Sequence, residues 1–232
     1  MVAIRTLLLL TIALLFVVVA LVLAARIRET KGSLRLAKAS VILAALSTAG
    51  SFTSAAISAL NYLDTTLVKV LYVPIDFFAM LVLAWLASFA IIATYAGPRR
   101  RLVLALVFII ALIPPLYLAT SYNEASILGI IEPEVLIFQP PPFTQLLYAI
   151  CGIPLGLIPI VVFARSIMAA RRKGDANLTK RAATMFSAVF ANEAVYLVYV
   201  FGTGVVELSA LVLWIPAAFL LLYAVLKITS PV

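Results

Sequence analysis

Long apolar runs separated by short polar breaks make up nearly the whole chain. Runs bounded by charge or proline fall at 4–25, 38–62, 67–96, 102–121, 143–165, 182–204 and 207–228. At 1.5 Å of rise per residue, each is long enough as an α-helix to cross about 30 Å of hydrocarbon. The third run is longer than that, so it is expected to tilt, to kink at Pro74 or to protrude. The pattern predicts an all-α, polytopic membrane protein with seven transmembrane helices in one compact domain.

Composition points the same way. Apolar residues make up 66% and charged residues 11%, with a mean hydropathy of +1.22, where soluble domains run near about 45–50% and about 25%. With 232 residues, seven spans leave room only for short loops, which excludes a catalytic domain outside the bilayer. The first run is too long for a cleavable signal peptide, and its basic cluster follows rather than precedes it, so the first helix is expected to be retained. There is no histidine and one cysteine, Cys151, too few ligands for haem, zinc or thiolate clusters. No cofactor and no metal are expected. The scarcity of amides and cysteine fits a heat-adapted source, or follows from membrane composition alone.

Charge placement predicts orientation, because cytoplasmic loops retain lysine and arginine during insertion. The first loop holds Arg26, Arg28, Lys31, Arg35 and Lys38, the third Arg99, Arg100 and Arg101, and the fifth Arg165, Arg171, Arg172, Lys173, Lys180 and Arg181. Lys227 ends the last run on that side. Of 17 cations, Arg5 and Lys69 alone fall opposite, and the long fourth loop carries Glu124, Glu132 and Glu134 without a cation. The N-terminus is expected outside and the C-terminus inside a prokaryotic plasma membrane. The net charge of +8 is then a topology signal facing anionic headgroups, rather than a nucleic-acid surface.

An internal repeat emerges at an offset of 142 residues. Lys31 to Lys38 reads KGSLRLAK and Lys173 to Lys180 reads KGDANLTK; Val70 to Phe77 reads VLYVPIDF and Val212 to Phe219 reads VLWIPAAF. Both pairs share one offset without a gap, and the paired Lys-Gly and Pro positions carry the match. Spans one to three then correspond to spans five to seven in the same orientation, a parallel 3+1+3 plan with span four as linker. The units are 1–96, 97–142 and 143–232. This helix plan is similar to that of the SWEET and PQ-loop transporters and of microbial rhodopsins. The likeness is confined to the plan: no lysine lies mid-way along the seventh span, and a PQ dipeptide is absent, Gln139 and Pro140 standing in reverse order.

Positions that break the repeat are the candidate functional ones. Asp76 aligns with Ala218, and Glu193 with Ser51. Counting inward puts Asp76 about 14 Å from the outer end of its span and Glu193 about 17 Å from the inner end of its own, both near the midplane. A carboxylate there costs at least a few kcal/mol and is expected to face a bundle interior or a wet cavity. Lys69, Tyr72 and Asp76 share one face of span three, and Asn192 and Glu193 continue through Tyr196 and Tyr199 along span six. Span two adds Ser40, Ala44, Ser47, Ser51, Ser54, Ser58 and Asn61 at helical spacing. The serine stripe reads as close helix packing through small residues, and the two acids either as a lined path or as protonated groups bonded between helices. Prolines 74, 114, 115, 154, 159 and 216 are expected to act as static kinks rather than hinges. The outer loop from Asn123 to Pro142 reads as a surface lid or a stiff connector.

No serine or cysteine has a histidine partner and no acids sit in a metal or phosphotransfer motif, so enzyme activity is not expected. The favoured reading is a channel or secondary transporter moving an ion or small polar solute past Asp76, Glu193, Asn192, Lys69, Tyr72, Tyr196 and Ser51. The alternative is a membrane-embedded subunit of an envelope machine for DNA or protein transfer, with exposed helix faces binding sister subunits and basic loops touching a motor or nucleic acid. A heptahelical sensor is a third class, lacking a pigment residue and an output domain. Expected partners are the lipid bilayer and, in an oligomer, further copies or other envelope proteins.

Overall fold

Backbone amides cannot be left unpaired in hydrocarbon, and helices pair them internally. The computed structural model describes residues 2–27, 32–61, 64–95, 97–131, 135–201 and 205–229, and the apolar runs are helices in it. They are α1 (Val2–Ala25), α2 (Gly32–Leu60), α3 (Thr65–Thr94), α4 (Arg100–Ser121), α5 (Pro142–Arg172), α6 (Ala176–Phe201) and α7 (Val205–Thr229). Six of them, all but α6, are long and apolar enough among the described residues to cross a membrane. The chain thus has the make-up of a multi-pass membrane protein.

Helix ends follow local chemistry. Asp64 caps α3, its Oδ1 accepting from the amides of Thr66 at 3.1 Å and Leu67 at 3.0 Å. Asp175 caps α6 in the same way, accepting from Leu178 N at 2.8 Å. That cap starts α6 at Ala176, six residues before the apolar run at 182, so its first turns are an extension beyond the apolar segment. Lys38 is not a loop residue: it is buried in the second turn of α2, where its ammonium donates to the carbonyl of Arg26 at the end of α1, 3.3 Å away, a favourable place for a cation. Arg28, Lys31, Glu132 and Glu134 lie outside the described residues.

The outer loop is not a lid helix: it is a strand pair connecting α4 to α5 in an otherwise helical chain. After a short turn at Tyr122–Glu124, β1 (Ser126–Ile131) and β2 (Val135–Gln139) pair antiparallel, with Ser126 opposite Gln139 and Ile131 opposite Val135. Two β-branched, apolar runs on either side of Glu-Pro-Glu are a hairpin pattern. Within α5, residues Tyr148–Gly152 form a π-turn between two α-helical segments. The hairpin marks one end of the bundle and the arginine-rich turns mark the other.

Helices pack as α1–α2, α2–α3, α3–α5, α5–α6, α6–α7 and α7–α1, a closed ring of six. α4 stands outside the ring against α3 and α5, held by Trp85–Phe108 and Tyr117–Phe143 edge contacts at centroid distances of 4.4 and 5.0 Å. The main core draws on all six ring helices, including Ile12, Phe52, Phe89, Phe163, Met185 and Leu221, while Met80, Leu83, Val107, Cys151 and Leu155 form a second core joining α3, α4 and α5.

Gly32 and Gly174, both with left-handed φ (64° and 69°), stand at the turns before α2 and α6. After α5 the chain closes with Lys173 N on Ala169 O at 3.3 Å and Asp175 N on Ala170 O at 3.1 Å, a helix stop that favours glycine. A side chain at such a φ costs about 1 kcal/mol or more. Gly174→Ala is therefore expected to lower the thermal midpoint of the detergent-solubilised protein by about 2–4 °C; an unchanged melt would show that the turn adapts.

Candidate functional site

The centre of the six-helix ring is not fully packed. It encloses a cavity of about 70 Å³, lined from α1, α2, α3, α6 and α7, where one water needs roughly 10–15 Å³ of such volume. Several waters or one small solute therefore fit. Its wall is mostly aliphatic and aromatic, and among the described residues that line it Glu193 is the one carboxylate, with no lysine or arginine.

Glu193 lies against α5 as well as lining the cavity. A Cβ added at Gly156 of α5 would lie 3.4 Å from Glu193 Oε2 and 3.8 Å from a Leu83 methyl, ordinary contact distances. Three helices, α3, α5 and α6, thus meet at the carboxylate. Asn192, the preceding residue, is buried and ties α6 to α7: its Nδ2 donates to Ala188 O at 2.9 Å and to Ala217 O at 3.0 Å. Ser51 ties α2 to α3, donating to Ile75 O at 3.1 Å. Thr48, one turn along α2, donates to Ala44 O at 2.9 Å. Thr48, Ser51, Asn192 and Glu193 all line the cavity.

These bonds have a shared register. Ser51 and Glu193 are 142 positions apart, as are the two acceptors, Ile75 and Ala217, each of which follows a helix proline, Pro74 or Pro216. The donor moves by one residue between them, from Ser51 to Asn192. The position matching Asn192 is Gly50, where an added Cβ would come within 3.0 Å of the Phe78 ring. One site holds an amide and the other an aromatic ring.

Asp76 has a different setting. It is half-buried on α3 and is not part of the cavity lining; its carboxyl faces the Tyr148 hydroxyl at the start of the π-turn in α5. The two acids thus do not share one chamber, but each lies where α5 meets a neighbour. Lys69 sits near the hairpin end, its ammonium donating to Asn123 O at 3.4 Å, and the half-buried Tyr72 is likewise outside the cavity lining. Tyr196 and Tyr199 belong to α6, but their side chains lie outside the described residues. In the span-two stripe Ser40, Ser54 and Asn61 bond to their own helix, at Leu36 O, Gly50 O and Ile57 O and 3.2, 3.0 and 2.8 Å, as small polar residues in helices do.

Sequence reasoning passed over the aromatic part of the wall. Phe16, Phe52 and Trp214 line the cavity, and Phe52 meets Trp214 edge to face at 4.7 Å, bringing α2 against α7 across the ring. One signal pointed to Trp214: it occupies the repeat position of Tyr72, itself a candidate. Against a background of 10% aromatic residues, Phe16 and Phe52 had none.

No family model matches the chain, and no curated protein or solved structure matches it either.

The interhelical bonds have a measurable share in stability, because side-chain hydrogen bonds between membrane helices average about 0.6 kcal/mol and reach about 1.7. Ser51→Ala is expected to cost about 0.6 kcal/mol, and Asn192→Leu, which removes two bonds and strands a carbonyl, at least twice as much. Denaturation in mixed micelles checks this; equal losses would mean that Asn192 is not the tie between α6 and α7.

Proposed function

We propose that this chain is a transporter or channel of a prokaryotic plasma membrane, which moves a cation or small polar solute through the central cavity and uses Glu193 as its binding carboxylate. The observation that carries this reading is an ionisable group lining an internal cavity at about mid-depth in an apolar bundle. A charge in hydrocarbon is costly, so it is retained where it serves a path or a bound ion. Asp76, paired with Tyr148 between α3 and α5, is the second acid of the path and responds to movement of those helices.

The arrangement suits two three-helix halves, 1–96 and 143–232, with the segment 97–142 as a linker outside them. Exchanging α1 with α5, α2 with α6 and α3 with α7 leaves the set of ring contacts unchanged, as a two-fold axis along the membrane normal requires. The left-handed glycines Gly32 and Gly174 and the acceptors Ile75 and Ala217 keep the same offset. Rocking of one half against the other would open the cavity to each side in turn. The arginine-rich end faces the cytoplasm in this reading, by the positive-inside rule, and the hairpin faces outward.

A second reading, a membrane subunit of an envelope machine, is favoured by one observation. α4 lies outside the ring and exposes Leu102, Leu106, Ile109, Ile113 and Leu116, a face that accepts lipid or a sister subunit.

Flux into liposomes reconstituted with the purified chain separates these readings. The transport reading expects solute or ion uptake that Glu193→Gln reduces at least tenfold and Asp76→Asn reduces as well. Vesicles inert to a broad panel of ions and solutes, with the chain recovered in a complex of envelope proteins, would favour the machine.

A further inference from the structure

Among the described residues, three uncharged polar side chains of the cavity lining give their hydrogens to backbone carbonyls, and Glu193 stands with them. Thr48 donates to Ala44 O and Ser51 to Ile75 O. Asn192 gives both amide hydrogens away, to Ala188 O and Ala217 O, which leaves its Oδ1 as an acceptor. An ionised Glu193 has only acceptor oxygens. These four groups bring to the lining two hydroxyl oxygens, an amide oxygen and a carboxylate as acceptors, beside the single N–H donor of the Trp214 indole. Around them stand the rings of Phe16, Phe52 and Trp214, whose faces carry negative quadrupole density.

Such a wall selects for charge and for hydrogen-bond donors together. An anion meets no cation in the lining and is repelled by Glu193. A sugar or other polyol brings acceptors that these four groups cannot satisfy, and an unsatisfied buried polar atom costs about 1–3 kcal/mol. A bare alkali ion is served by oxygens but gains little from a largely apolar, aromatic wall. A cation that carries N–H donors and an apolar body uses both. With about 70 Å³ of space, the body is limited to about the size of one or two methyl groups.

We infer that the central cavity is a binding site for ammonium or a short-chain alkylammonium ion, held by Glu193 with Thr48, Ser51 and Asn192 as acceptors and Trp214 and Phe52 as ring contacts. This rests on reading the cavity as the solute site and names the chemical class of the solute. Glu193 is the charge partner; Thr48, whose hydroxyl oxygen has an acceptor position left after bonding Ala44 O, sets the number of N–H contacts.

Melting of the purified full chain in detergent, at matched chloride concentration, tests binding directly. Methylammonium chloride at about a hundred times its dissociation constant is expected to raise the melting midpoint by about 5 °C or more, by preferential binding to the folded state. Sodium chloride, tetraethylammonium chloride and glucose are expected to leave it unchanged. Glu193→Gln removes the methylammonium shift, and Thr48→Val, which keeps the shape and the helix bonds, weakens apparent affinity about fivefold. A shift with sodium or glucose alone, a shift that persists undiminished in Glu193→Gln, or no shift with any solute overturns the assignment. Flux of labelled methylammonium into liposomes is scored separately. Binding without flux overturns the transport reading and leaves the site; proton or sodium flux without methylammonium binding does the reverse.

Discussion

Polar groups inside an apolar slab must be satisfied by the protein itself, and this constraint organises the bundle. Helices answer it for the backbone. The side chains answer it by bonding either to their own helix, as Ser40, Thr48 and Ser54 do, or to the backbone of a neighbour, as Ser51 and Asn192 do. The second class ties the helix pairs α2–α3 and α6–α7, just past the prolines inside α3 and α7. At Thr48, Ser51, Asn192 and Glu193 a cavity adjoins the polar groups. Packing, polarity and the central cavity are therefore aspects of a single arrangement.

The helices were legible because membrane spans are written in long, redundant signals. Charges and prolines bracket each apolar run, and the observed ends of α3, α4 and α7 differ from the expected ones by about two residues. The start of α6 was misread because Asp175 caps the helix in a polar stretch that hydropathy ignores. The hairpin was missed for a similar reason: Ser126–Ile131 and Val135–Gln139 are as apolar as the spans, and only their shortness and β-branching distinguish them.

Site legibility was uneven. Glu193, Asn192 and Ser51 could be picked out because charge or amide is rare in such a chain and because the offset aligns Glu193 with Ser51. The partner of Asp76 could not, since Tyr148 is remote in sequence and meets it only through the contact of α3 with α5. The expected face of Lys69, Tyr72 and Asp76 also divides in three dimensions, Lys69 reaching toward Asn123 while Asp76 turns to α5. Periodicity places residues on a face; it does not say which neighbour that face will meet.

The π-turn at Tyr148–Gly152 bears on which neighbour the entrance of α5 meets. A five-residue turn inside a helix is what one inserted residue leaves behind when the segments on both sides are already locked by packing. Such an insertion turns the preceding segment by about 100° and shifts its register by one. The entrance of α5, Pro142–Leu147, is thereby aimed differently from the course an uninterrupted helix would take, and it leads directly into Tyr148, the residue that meets Asp76. Helical phase, and not side chains alone, decides which neighbour this end of α5 faces.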